Sequence, residues 1–551
     1  MILNGSQIVM EVLLEHKVEV VFGYPGGAVL NIYDALYEYK DKIRHIMPVD
    51  ECGACHAADG YARASGKTGV VIATSGPGAT NLVTPLATAY MDSVPLVAIT
   101  GNVPTGIMGK DSFQEVYIAG ITMPITKHNF IVRDIKDLAR TLREAFIIAN
   151  SGRKGPVLVD IPKDISVAKC EYTKHFPKKP SQKSAEFKDE LAQILTLIKQ
   201  SRKPLVYFGG GAKDASENLL AFMKKAQIPC VHTTMSAGTI SHKEPLNAGL
   251  LGMHGRVTCN EIMSEADLIL AIGTRFSDRV ALNPREFAKN AKKVHIDIDI
   301  SEVDKNVSVD CSVVGDLNEV LSALCDKVSP ANSDEWIQSI QKRLEKERAQ
   351  KGDKNAFEPR NIFEYAVSKT KENAIYATDV GQHQMWAVQF IRHAKPRSFL
   401  TSGGLGTMGF GYGAAIGAKV ACPKRPVLHI TGDGSFLMNL NEVATAVEYK
   451  LPIITIILNN HTLGMVRQWQ STFYGKRYSS TDINKKVDFI AVAKGFGARG
   501  YSCKNLSEFE KAFDEALNLG IPVWIECLID KDLKVLPMIP SGGTVKDIII
   551  E

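Results

Sequence analysis

Several features that would narrow the function at once are missing from this sequence. The 551-residue chain has no apolar run near the ~18 residues that a membrane span needs. Its formal net charge of +5 is small for the length and its Lys and Arg residues are scattered, which argues against nucleic acid or an acidic membrane as a partner. The N-terminal stretch is amphipathic with acidic residues, unlike a signal peptide. The sequence therefore predicts a cytoplasmic globular protein that binds neither membranes nor nucleic acids.

A disulfide framework is also missing, since the ten cysteines show no framework spacing, and this favours a reducing compartment. The segment Cys52-Gly53-Ala54-Cys55-His56 does match the pattern of covalent haem attachment, and Cys-x-x-Cys alone can indicate redox chemistry. Haem attachment normally implies export. We therefore interpret these two cysteines as small side chains on a packed helix.

The length predicts several domains, because a compact domain holds ~150 residues. Strand and helix patterns alternate in three blocks, which predicts three doubly wound α/β domains with parallel sheets. The predicted domains are residues 1–172, 188–330 and 356–551, the last including a C-terminal tail. Between them, Lys174 to Phe187 has the composition of a linker, and Glu335 to Lys354 is typical of a solvated charged helix and connector.

The third domain contains the stretch on which the functional argument depends. Val427 to Thr431 has the pattern of a strand that ends in the turn Gly432-Asp433-Gly434, and a helix then leads to a second strand, Ile453 to Leu458, followed by Asn459-Asn460. Both strands should be parallel. Asp433 and Asn460 are therefore predicted at the same carboxyl edge of one sheet, where α/β folds bind ligands.

The helix between these strands has its own start signal. Asn439 is followed three residues later by Glu442, which is the spacing of a capping pair, and apolar residues recur with helical spacing from Leu440 onward. This predicts a helix whose first turn is closed by Asn439 and Glu442.

An acid oxygen and an amide oxygen, beside glycines that let a diphosphate approach backbone N–H groups, suit Mg²⁺ carrying two phosphate oxygens. Gly-Asp-Gly alone usually marks an ordinary turn. Here 24 residues separate Gly434 from Asn459, and the pair matches the signature of thiamin diphosphate (ThDP) enzymes. Along nearly its whole length the chain resembles the catalytic subunits of acetolactate (acetohydroxyacid) synthases.

This resemblance implies a transferase that decarboxylates pyruvate on ThDP and joins the two-carbon unit to a second pyruvate or to 2-ketobutyrate, in branched-chain amino acid biosynthesis. It implies pyrimidine-binding and diphosphate-binding ThDP domains that flank a Rossmann-like middle domain carrying FAD without net redox chemistry. It also implies a homodimer or homotetramer and a possible small regulatory subunit. The alternatives are an oxidoreductase of the pyruvate oxidase type, a fermentative acetolactate synthase, and a non-catalytic ThDP-binding protein.

The resemblance further implies which residues are catalytic. Glu51 matches the acid that bonds the aminopyrimidine of ThDP, and apolar surroundings at the start of a helix would raise its pKa, although an acid there is also favoured simply by the helix dipole. Gln114 matches a position facing the cofactor. Arg279 matches the arginine that receives the carboxylate of the second ketoacid, and Trp469 the residue that favours 2-ketobutyrate; without the resemblance, a surface ion pair and a core side chain would be the simpler interpretations.

Cofactor-binding residues follow from the same resemblance. Met408 matches the apolar residue that supports the bent shape of ThDP. The implied magnesium ligands are Asp433, Asn460 and the carbonyl of Thr462, with diphosphate and water completing the octahedral shell. No full dinucleotide fingerprint supports the flavin set by itself. The remaining implied contacts are Gly27, Gly432 and Gly434 for ThDP, and Gly209, Gly210, Gly211, Met253, His254, Gly273, Thr274, Arg275, Asp297 and Asp316 for FAD.

The chain departs from the family pattern at a few positions. Asp50 stands beside Glu51 where the family usually has His, and Tyr117 stands where an acid is usual. Tyr412-Gly413 replaces the usual Leu-Pro, and Cys52 and Cys55 replace the usual Gln and Ala. These departures concern the electrostatics near Glu51 and the backbone that follows Met408.

Overall fold

The structure, a computed structural model, describes residues 1–175, 187–349, 352–483 and 485–551. Three six-stranded parallel sheets, each flanked by helices, form the centres of three domains, which confirms the predicted fold class. Most of the stretch predicted as the first linker lies outside the described residues. None of the described helices has the length and apolar character that crossing a bilayer requires.

The first domain contains eight strands and eight α-helices. Its strands are β1 (Ile2–Asn4), β2 (Val20–Gly23), β3 (Arg44–Ile46), β4 (Gly69–Ala73), β5 (Leu96–Asn102), β6 (His128–Ile131), β7 (Pro156–Pro162) and β8 (Lys169–Glu171). Its helices are α1 (Gly5–Glu15), α2 (Leu30–Glu38), α3 (Glu51–Ser65), α4 (Pro77–Thr80), α5 (Val83–Met91), α6 (Ile118–Thr122), α7 (Ile135–Asn150) and α8 (Lys163–Val167). The sheet order is β3-β2-β4-β5-β7-β6, and β1 pairs with β8 antiparallel outside it. The fully buried strands of this sheet are apolar runs, as expected for a parallel sheet covered on both faces.

The strand order of the middle domain reverses once, where the chain crosses from β11 to β12. Its strands are β9 (Pro204–Phe208), β10 (Cys230–His232), β11 (Asn247–Leu250), β12 (Leu268–Ile272), β13 (Lys292–Asp297) and β14 (Cys311–Val314). Its helices are α9 (Lys188–Gln200), α10 (Ser216–Ala226), α11 (Val257–Glu265) and α12 (Leu317–Lys327). The order β11-β10-β9-β12-β13-β14 places β9 and β12 side by side, so the loops that follow them meet at one carboxyl edge.

A charged helix, α13 (Asp334–Ala349), follows the middle domain. Its composition predicted a solvated helix, but one side of it is buried. Trp336, Ile340 and Leu344 are buried along one side, and the indole N–H of Trp336 donates a hydrogen bond to the carbonyl of Pro204 at 3.2 Å. Because these three residues recur every four positions, they form an apolar stripe on one face of the helix. The many charged residues around them make this stripe hard to recognise in the sequence.

The third domain contains the stretch singled out in the sequence. Its strands are β15 (Ile375–Thr378), β16 (Phe399–Leu400), β17 (Val427–Gly432), β18 (Ile453–Asn459), β19 (Arg499–Cys503) and β20 (Val523–Leu528). Its helices are α14 (Pro359–Thr370), α15 (Gln382–Phe390), α16 (Phe410–Ala421), α17 (Asp433–Phe436), α18 (Val443–Glu448), α19 (Gly464–Phe473), α20 (Phe489–Phe496) and α21 (Leu506–Leu519). The order is β16-β15-β17-β18-β20-β19, with β17 and β18 parallel neighbours as predicted.

The first and third domains of the chain pack against each other along α3 and α16. Their backbones approach closely, because a Cβ at Gly60 would lie 2.2 Å from the carbonyl oxygen of Ala414, and one at Gly417 would lie 1.9 Å from that of Ala57. Only glycine permits this distance between the two helices. The contact fixes α3, which begins at Glu51, against the third domain.

Candidate active site

Asp433 and Asn460 lie at the same carboxyl edge of the third sheet, where the sequence predicted them. Asp433 is buried and begins α17 directly after β17, and Asn460 is buried directly after β18. The flanking glycines are tightly packed, since a Cβ at Gly434 would lie 2.8 Å from the Cδ1 of Ile483. The turn therefore presents backbone and a single carboxylate at the sheet edge.

The loop after β18 is held in place by side-chain amides. Asn459 donates from Nδ2 to Glu526 at 2.7 Å, and its Oδ1 accepts the backbone N–H of His461 at 3.0 Å. The Oδ1 of Asn460 accepts the N–H of Thr462 at 3.2 Å. His461 has a φ of +54°, so the loop turns through a left-handed residue that these bonds stabilise. Asn460 and Thr462 were predicted from the sequence, but Glu526 was not.

The donors at this edge suit magnesium. Within the described ranges, no group of three or more His, Cys, Asp or Glu side chains could hold a metal ion. A cation here would be held by the carboxylate of Asp433, the amide oxygen of Asn460 and the carbonyl of Thr462, with its other positions filled by ligand oxygens and water. An all-oxygen set with one carboxylate and bound phosphate fits Mg²⁺ better than zinc.

Sequence reasoning missed the N-terminus of α15, which lies beside Gly432. A Cβ at Gly432 would be 2.9 Å from the Nδ1 of His383, which is buried and whose Nε2 has no hydrogen-bond partner in the described chain. Burial lowers the pKa of His383 to about 4, so the imidazole is neutral. A helix N-terminus is a suitable donor for a diphosphate, and the partnerless Nε2 marks a polar position for a ligand or a water molecule. The signal in the sequence was Gly381-Gln382-His383 directly after a strand.

Asp379, directly after β15, links the neighbouring elements at this edge through hydrogen bonds. It accepts hydrogen bonds from the Nε2 of His429 at 3.1 Å, from the hydroxyl of Thr431 at 2.7 Å and from the N–H of Gly411 at 2.6 Å. Burial raises the pKa of Asp379, but the bond from His429 and the other donors outweigh it and hold the pKa below its usual range. An ionised Asp379 therefore joins β15, β17 and the start of α16.

Met408 is half-buried in the turn before α16. The hydroxyl of its neighbour Thr407 lies 2.7 Å from that of Thr88 in the first domain. Gly409 has a φ of +84°, and its carbonyl accepts a hydrogen bond from Asn439 at 2.8 Å. The backbone that carries Met408 is thus fixed from both domains.

The predicted capping pair of Asn439 and Glu442 is wrong. Asn439 makes no side-chain cap bond, since its side-chain amide donates to the carbonyl of Gly409 instead. Glu442 instead accepts backbone N–H groups of Val49 and Asp50 from the first domain. The local spacing was correct, but each side chain is used in a tertiary contact that the sequence does not show.

The first domain brings Glu51 and Gln114 together around one glycine turn. A Cβ at Gly78 would lie 2.9 Å from the Oε1 of Glu51, and one at Gly76 would lie 2.8 Å from the carbonyl oxygen of Gln114. Glu51 is buried and its Oε2 accepts a hydrogen bond from Asn81 at 3.0 Å. The position of a Cβ at Gly27 is open, with no atom within 4 Å.

In the middle domain the predicted flavin glycines pack against one another. The N–H of Gly211 donates to the carbonyl of Gly273 at 3.0 Å, and a Cβ at Gly209 would lie 2.5 Å from that same oxygen. Gly273 has a φ of +57°. A Cβ at Gly210, in contrast, would meet only Met235, at 3.4 Å and beyond. Loop packing alone therefore requires glycine at 209, and a Cβ at Gly211 would fit only tightly, 3.0 Å from the Cα of Gly273.

The other predicted flavin contacts also have structural partners. The Oδ1 of Asp316 accepts the N–H of Asn318 at 2.8 Å and so caps α12. Asp297 is buried at the end of β13, and burial raises its pKa. The carbonyl of Thr274 accepts from His295 at 2.9 Å, and Arg275 donates to the carbonyl of Met91 at 2.8 Å. The guanidinium of Arg275 therefore bonds to the end of α5 in the first domain.

Arg279 and Trp469 lie in different domains, and the C-terminal tail connects their surroundings. The side chain of Arg279 is 63 % exposed, and its backbone carbonyl accepts the N–H of Met253 at 2.9 Å. Met253 in turn accepts from the tail residue Ile539 at 2.9 Å. Beside the half-buried Trp469, Gln468 exchanges hydrogen bonds of 2.8 and 3.1 Å with the tail residue Val535. The tail therefore runs between both predicted acceptor residues.

His254, next to Met253, carries a buried Nδ1 without a partner in the described residues. Burial lowers its pKa to about 4. An unpaired polar atom in this position leaves room for a ligand or a water molecule.

Comparison with known proteins decides the family. Models of the thiamine pyrophosphate enzyme N-terminal TPP binding domain, central domain and C-terminal TPP binding domain match residues 3–121, 191–324 and 379–527. The probable acetolactate synthase large subunit of Methanococcus aeolicus is 42% identical, covering 99% of this chain and 95% of the relative. The large subunits of Pyropia yezoensis, at 42% over 98% and 94%, and Corynebacterium glutamicum, at 43% over 99% and 90%, are similar. The chain belongs to the acetolactate synthase large-subunit family.

As a member of that family, the chain is a ThDP-dependent enzyme of the acetolactate synthase type. The N-terminal TPP match contains Glu51 and Gln114, and the C-terminal match contains Asp433 and Asn460. The matched regions therefore include both groups of residues found at the sheet edge and at the glycine turn.

At several positions where the chain departs from the family pattern, the structure gives a physical reason for the residue present. Asp50 is the N-cap of α3 and accepts the N–H of Gly53 at 2.7 Å. Cys55 is fully buried, and burial raises its pKa well above the usual value. The pKa of Cys52 is raised by burial to about 12. Both thiols are thus protonated and packed, as interpreted from the sequence, with no access for haem at Cys55.

The Tyr412-Gly413 departure fits the domain contact. Tyr412 is buried, with its ring 5.2 Å from that of His429. A Cβ at Gly413 would lie 2.7 Å from the Cβ of His56 on α3. Tyr117, in contrast, is exposed, and nothing in the described contacts explains its replacement of an acid.

Proposed function

We propose that this chain is a cytoplasmic acetolactate synthase that acts in branched-chain amino acid biosynthesis. It decarboxylates pyruvate and joins the two-carbon unit to a second pyruvate or to 2-ketobutyrate. The observation that carries the proposal is the placement of Asp433 and Asn460 at one sheet edge beside the orphaned Nε2 of His383. Residues 1–172 form the pyrimidine-binding domain, 356–551 the diphosphate-binding domain.

Bound ThDP would supply the electron sink for the charge that remains after loss of CO₂. Asp433, Asn460 and the carbonyl of Thr462 would hold Mg²⁺, which would offset the negative charge of the diphosphate. Gly432 and Gly434 would let the diphosphate approach backbone N–H groups of the turn. These residues fix the cofactor without a second carboxylate.

Glu51 would exchange a proton with the aminopyrimidine of the cofactor. Its burial keeps bulk water away from the carboxylate, and the hydrogen bond from Asn81 fixes the orientation of one oxygen, while the other faces the glycine turn. We expect Glu51→Gln to lower turnover by at least ~100-fold while ThDP and Mg²⁺ still bind, as judged by isothermal titration. Near-normal turnover would reject this role.

We further propose that each complete site is formed between two copies of the chain. The described contacts of the Glu51 carboxylate lie within its own domain, whereas the metal edge belongs to the third domain. Several large apolar side chains of the first domain are exposed, as expected for a surface covered by a partner. They are Leu30, Met47, Val49, Phe113 and Tyr117.

A complementation experiment tests the shared site. Glu51→Gln and Asp433→Asn are each expected to be inactive alone. If the site combines Glu51 of one copy with Asp433 of another, mixed dimers contain one intact site, and equal mixtures should recover about a quarter of wild-type activity. No recovery after dissociation and reassembly, with mixed dimers verified by native mass spectrometry, would place both residues in one chain's site.

We propose that the middle domain, residues 188–330, binds FAD without net redox chemistry. The orphaned Nδ1 of His254 and the uncrowded position at Gly210, where a Cβ would meet only Met235, support this. Acetolactate production and oxygen uptake, measured with pyruvate in the presence and absence of FAD, test the activity. Oxygen uptake without acetolactate would instead indicate chemistry of the pyruvate oxidase type.

A small regulatory subunit is a further proposed partner, because the relatives are named large subunits. Copurification with candidate small proteins encoded by neighbouring genes would test this partner. A purified chain whose mass and activity do not change with such a protein would count against it.

A further inference from the structure

Glu442 is a buried acid that the mechanism above leaves unused. It ends the 3₁₀ turn Leu440–Glu442 of the third domain and is 0 % exposed. Its carboxylate accepts the backbone N–H of Val49 at 3.1 Å and that of Asp50 at 3.4 Å, and the hydroxyl of Thr445 at 2.7 Å. The acid thus connects the third domain to the backbone of the first.

The segment that Glu442 holds leads directly into the catalytic helix. Asp50 is the N-cap of α3, and Glu51 is its first residue. The side chain of Asp50 accepts the N–H of Gly53 within the segment. Glu442, from the third domain, accepts the N–H groups of Val49 and Asp50. Both acidic groups lie at the N-terminus of α3, where the helix dipole favours negative charge, although burial raises the pKa of Glu442 to about 7. The direction of the first turn therefore depends on Glu442.

Gly53 shows how closely the first turn is shaped around this acid. A Cβ at Gly53 would lie 1.9 Å from the Oε1 of Glu442, a distance that no pair of nonbonded atoms tolerates. Glycine is less favourable than alanine within a helix. The approach of the Glu442 carboxylate explains why glycine nevertheless stands at this position.

We propose that Glu442 is a positioning residue for Glu51, which holds the N-terminus of α3 in the register that proton exchange with the aminopyrimidine requires. The proposal rests on the proposed role of Glu51. Glu442 acts through the backbone of Val49 and Asp50, not on the reacting atoms. Its loss should therefore lower the rate of the chemical step more than the affinity for substrate or cofactor.

The first test is Glu442→Gln, which keeps the size of the side chain but replaces an acceptor oxygen by an NH₂ group facing backbone donors. We expect kcat to fall by about 10- to 100-fold, because small misplacement of a catalytic group has effects of this order. The KM for pyruvate and the affinity for ThDP should stay within about twofold. Glu448→Gln, the same change at the exposed end of α18, is the matched control and should behave as wild type.

Hydrogen exchange of the cofactor-free chain supplies a readout that does not depend on activity. Amides in residues 47–54 should exchange faster in Glu442→Gln than in wild type or Glu448→Gln, because one of the two oxygens that accept the N–H groups of Val49 and Asp50 becomes an NH₂ group. Unchanged exchange in this segment would overturn the proposal.

Gly53→Ala tests the same contact from the other side. Alanine should strengthen an isolated helix, so a purely local effect would leave kcat intact or improve stability. Positioning by Glu442 instead predicts a loss of kcat similar to that of Glu442→Gln, because the new methyl group displaces the carboxylate. In a Glu442→Ala background, adding Gly53→Ala should have little further effect, since the atom it would meet is gone.

Glu51→Gln is measured in parallel, to separate the two hypotheses. If Glu51→Gln is inactive but Glu442→Gln turns over at the wild-type rate, the positioning role is wrong and the role of Glu51 stands. If Glu51→Gln itself remains active, the proposed function of Glu51 fails first and the positioning role fails with it.

Discussion

The Nδ2 of Asn459 donates a 2.7 Å hydrogen bond to the carboxylate of Glu526, on the neighbouring strand β20. Glu526 also accepts the hydroxyl of Ser502 at 2.8 Å. Through the Oδ1 of Asn459, which accepts the N–H of His461, this acid fixes the loop that carries Asn460 and Thr462. The proposed metal ligands are therefore oriented from beneath by a residue that does not bind metal.

We expect Glu526→Gln to weaken Mg²⁺ binding about 10-fold or more, because residues that orient metal ligands typically contribute on this scale. Activity at saturating Mg²⁺ should stay close to wild type. Calorimetric titration of Mg²⁺ into the ThDP-loaded protein measures the change. Glu515→Gln, at an exposed position on α21, is the control. Unaltered Mg²⁺ affinity in Glu526→Gln would show that the loop does not need this bond.

Glu526 also marks the limit of prediction from sequence. The strands and the edge that carries Asp433 could be predicted, because apolar runs and glycine turns are local signals. The partner of Asn459 could not, since it depends on which strand lies beside β18 and in what register. The capping prediction for Glu442 was wrong for the same reason. Its spacing from Asn439 matches that of a capping pair, but its carboxyl oxygens accept N–H groups of the first domain.

The contact between α3 and α16 depends on glycine. We expect Gly417→Ala to destabilise the protein by about 1–3 kcal/mol, because the new methyl group meets the carbonyl of Ala57 with no space to move. Thermal unfolding measures the loss. Gly495→Ala on α20, where a Cβ would meet no atom within 4 Å, should be neutral or stabilising. Equal melting temperatures for the two variants would contradict the close helix contact.

Asp160 should make stability depend on pH. Burial raises its pKa to about 7, although Thr100 and Asn102 donate hydrogen bonds to it. The folded state therefore keeps a proton that the unfolded state, with a pKa of about 3.9, releases. This contribution is fully present below about pH 4 and is lost as pH rises to about 7.

Asp160→Asn resembles the protonated acid and should remove this dependence. Relative to wild type, the variant should gain melting temperature progressively from pH 4 to 7 and show a constant difference above pH 7. Scanning fluorimetry of both proteins across that range measures the difference. Curves that run parallel at all pH values would show that Asp160 does not hold a proton in the folded state.

Trp469 is expected to set the preference for the acceptor ketoacid. It is half-buried on α19, 5.1 Å from the ring of Phe473, and its neighbour Gln468 is fixed to the tail that also reaches Met253. 2-Ketobutyrate is one methylene longer than pyruvate, and a methylene in an apolar pocket changes specificity by about 10- to 200-fold. Trp469→Leu should therefore lower the preference for 2-ketobutyrate about 10-fold or more and retain acetolactate formation. Competition between the two ketoacids, with both products quantified, measures the ratio; Phe473→Leu should leave it unchanged, and a Trp469→Leu ratio equal to wild type would remove the assignment.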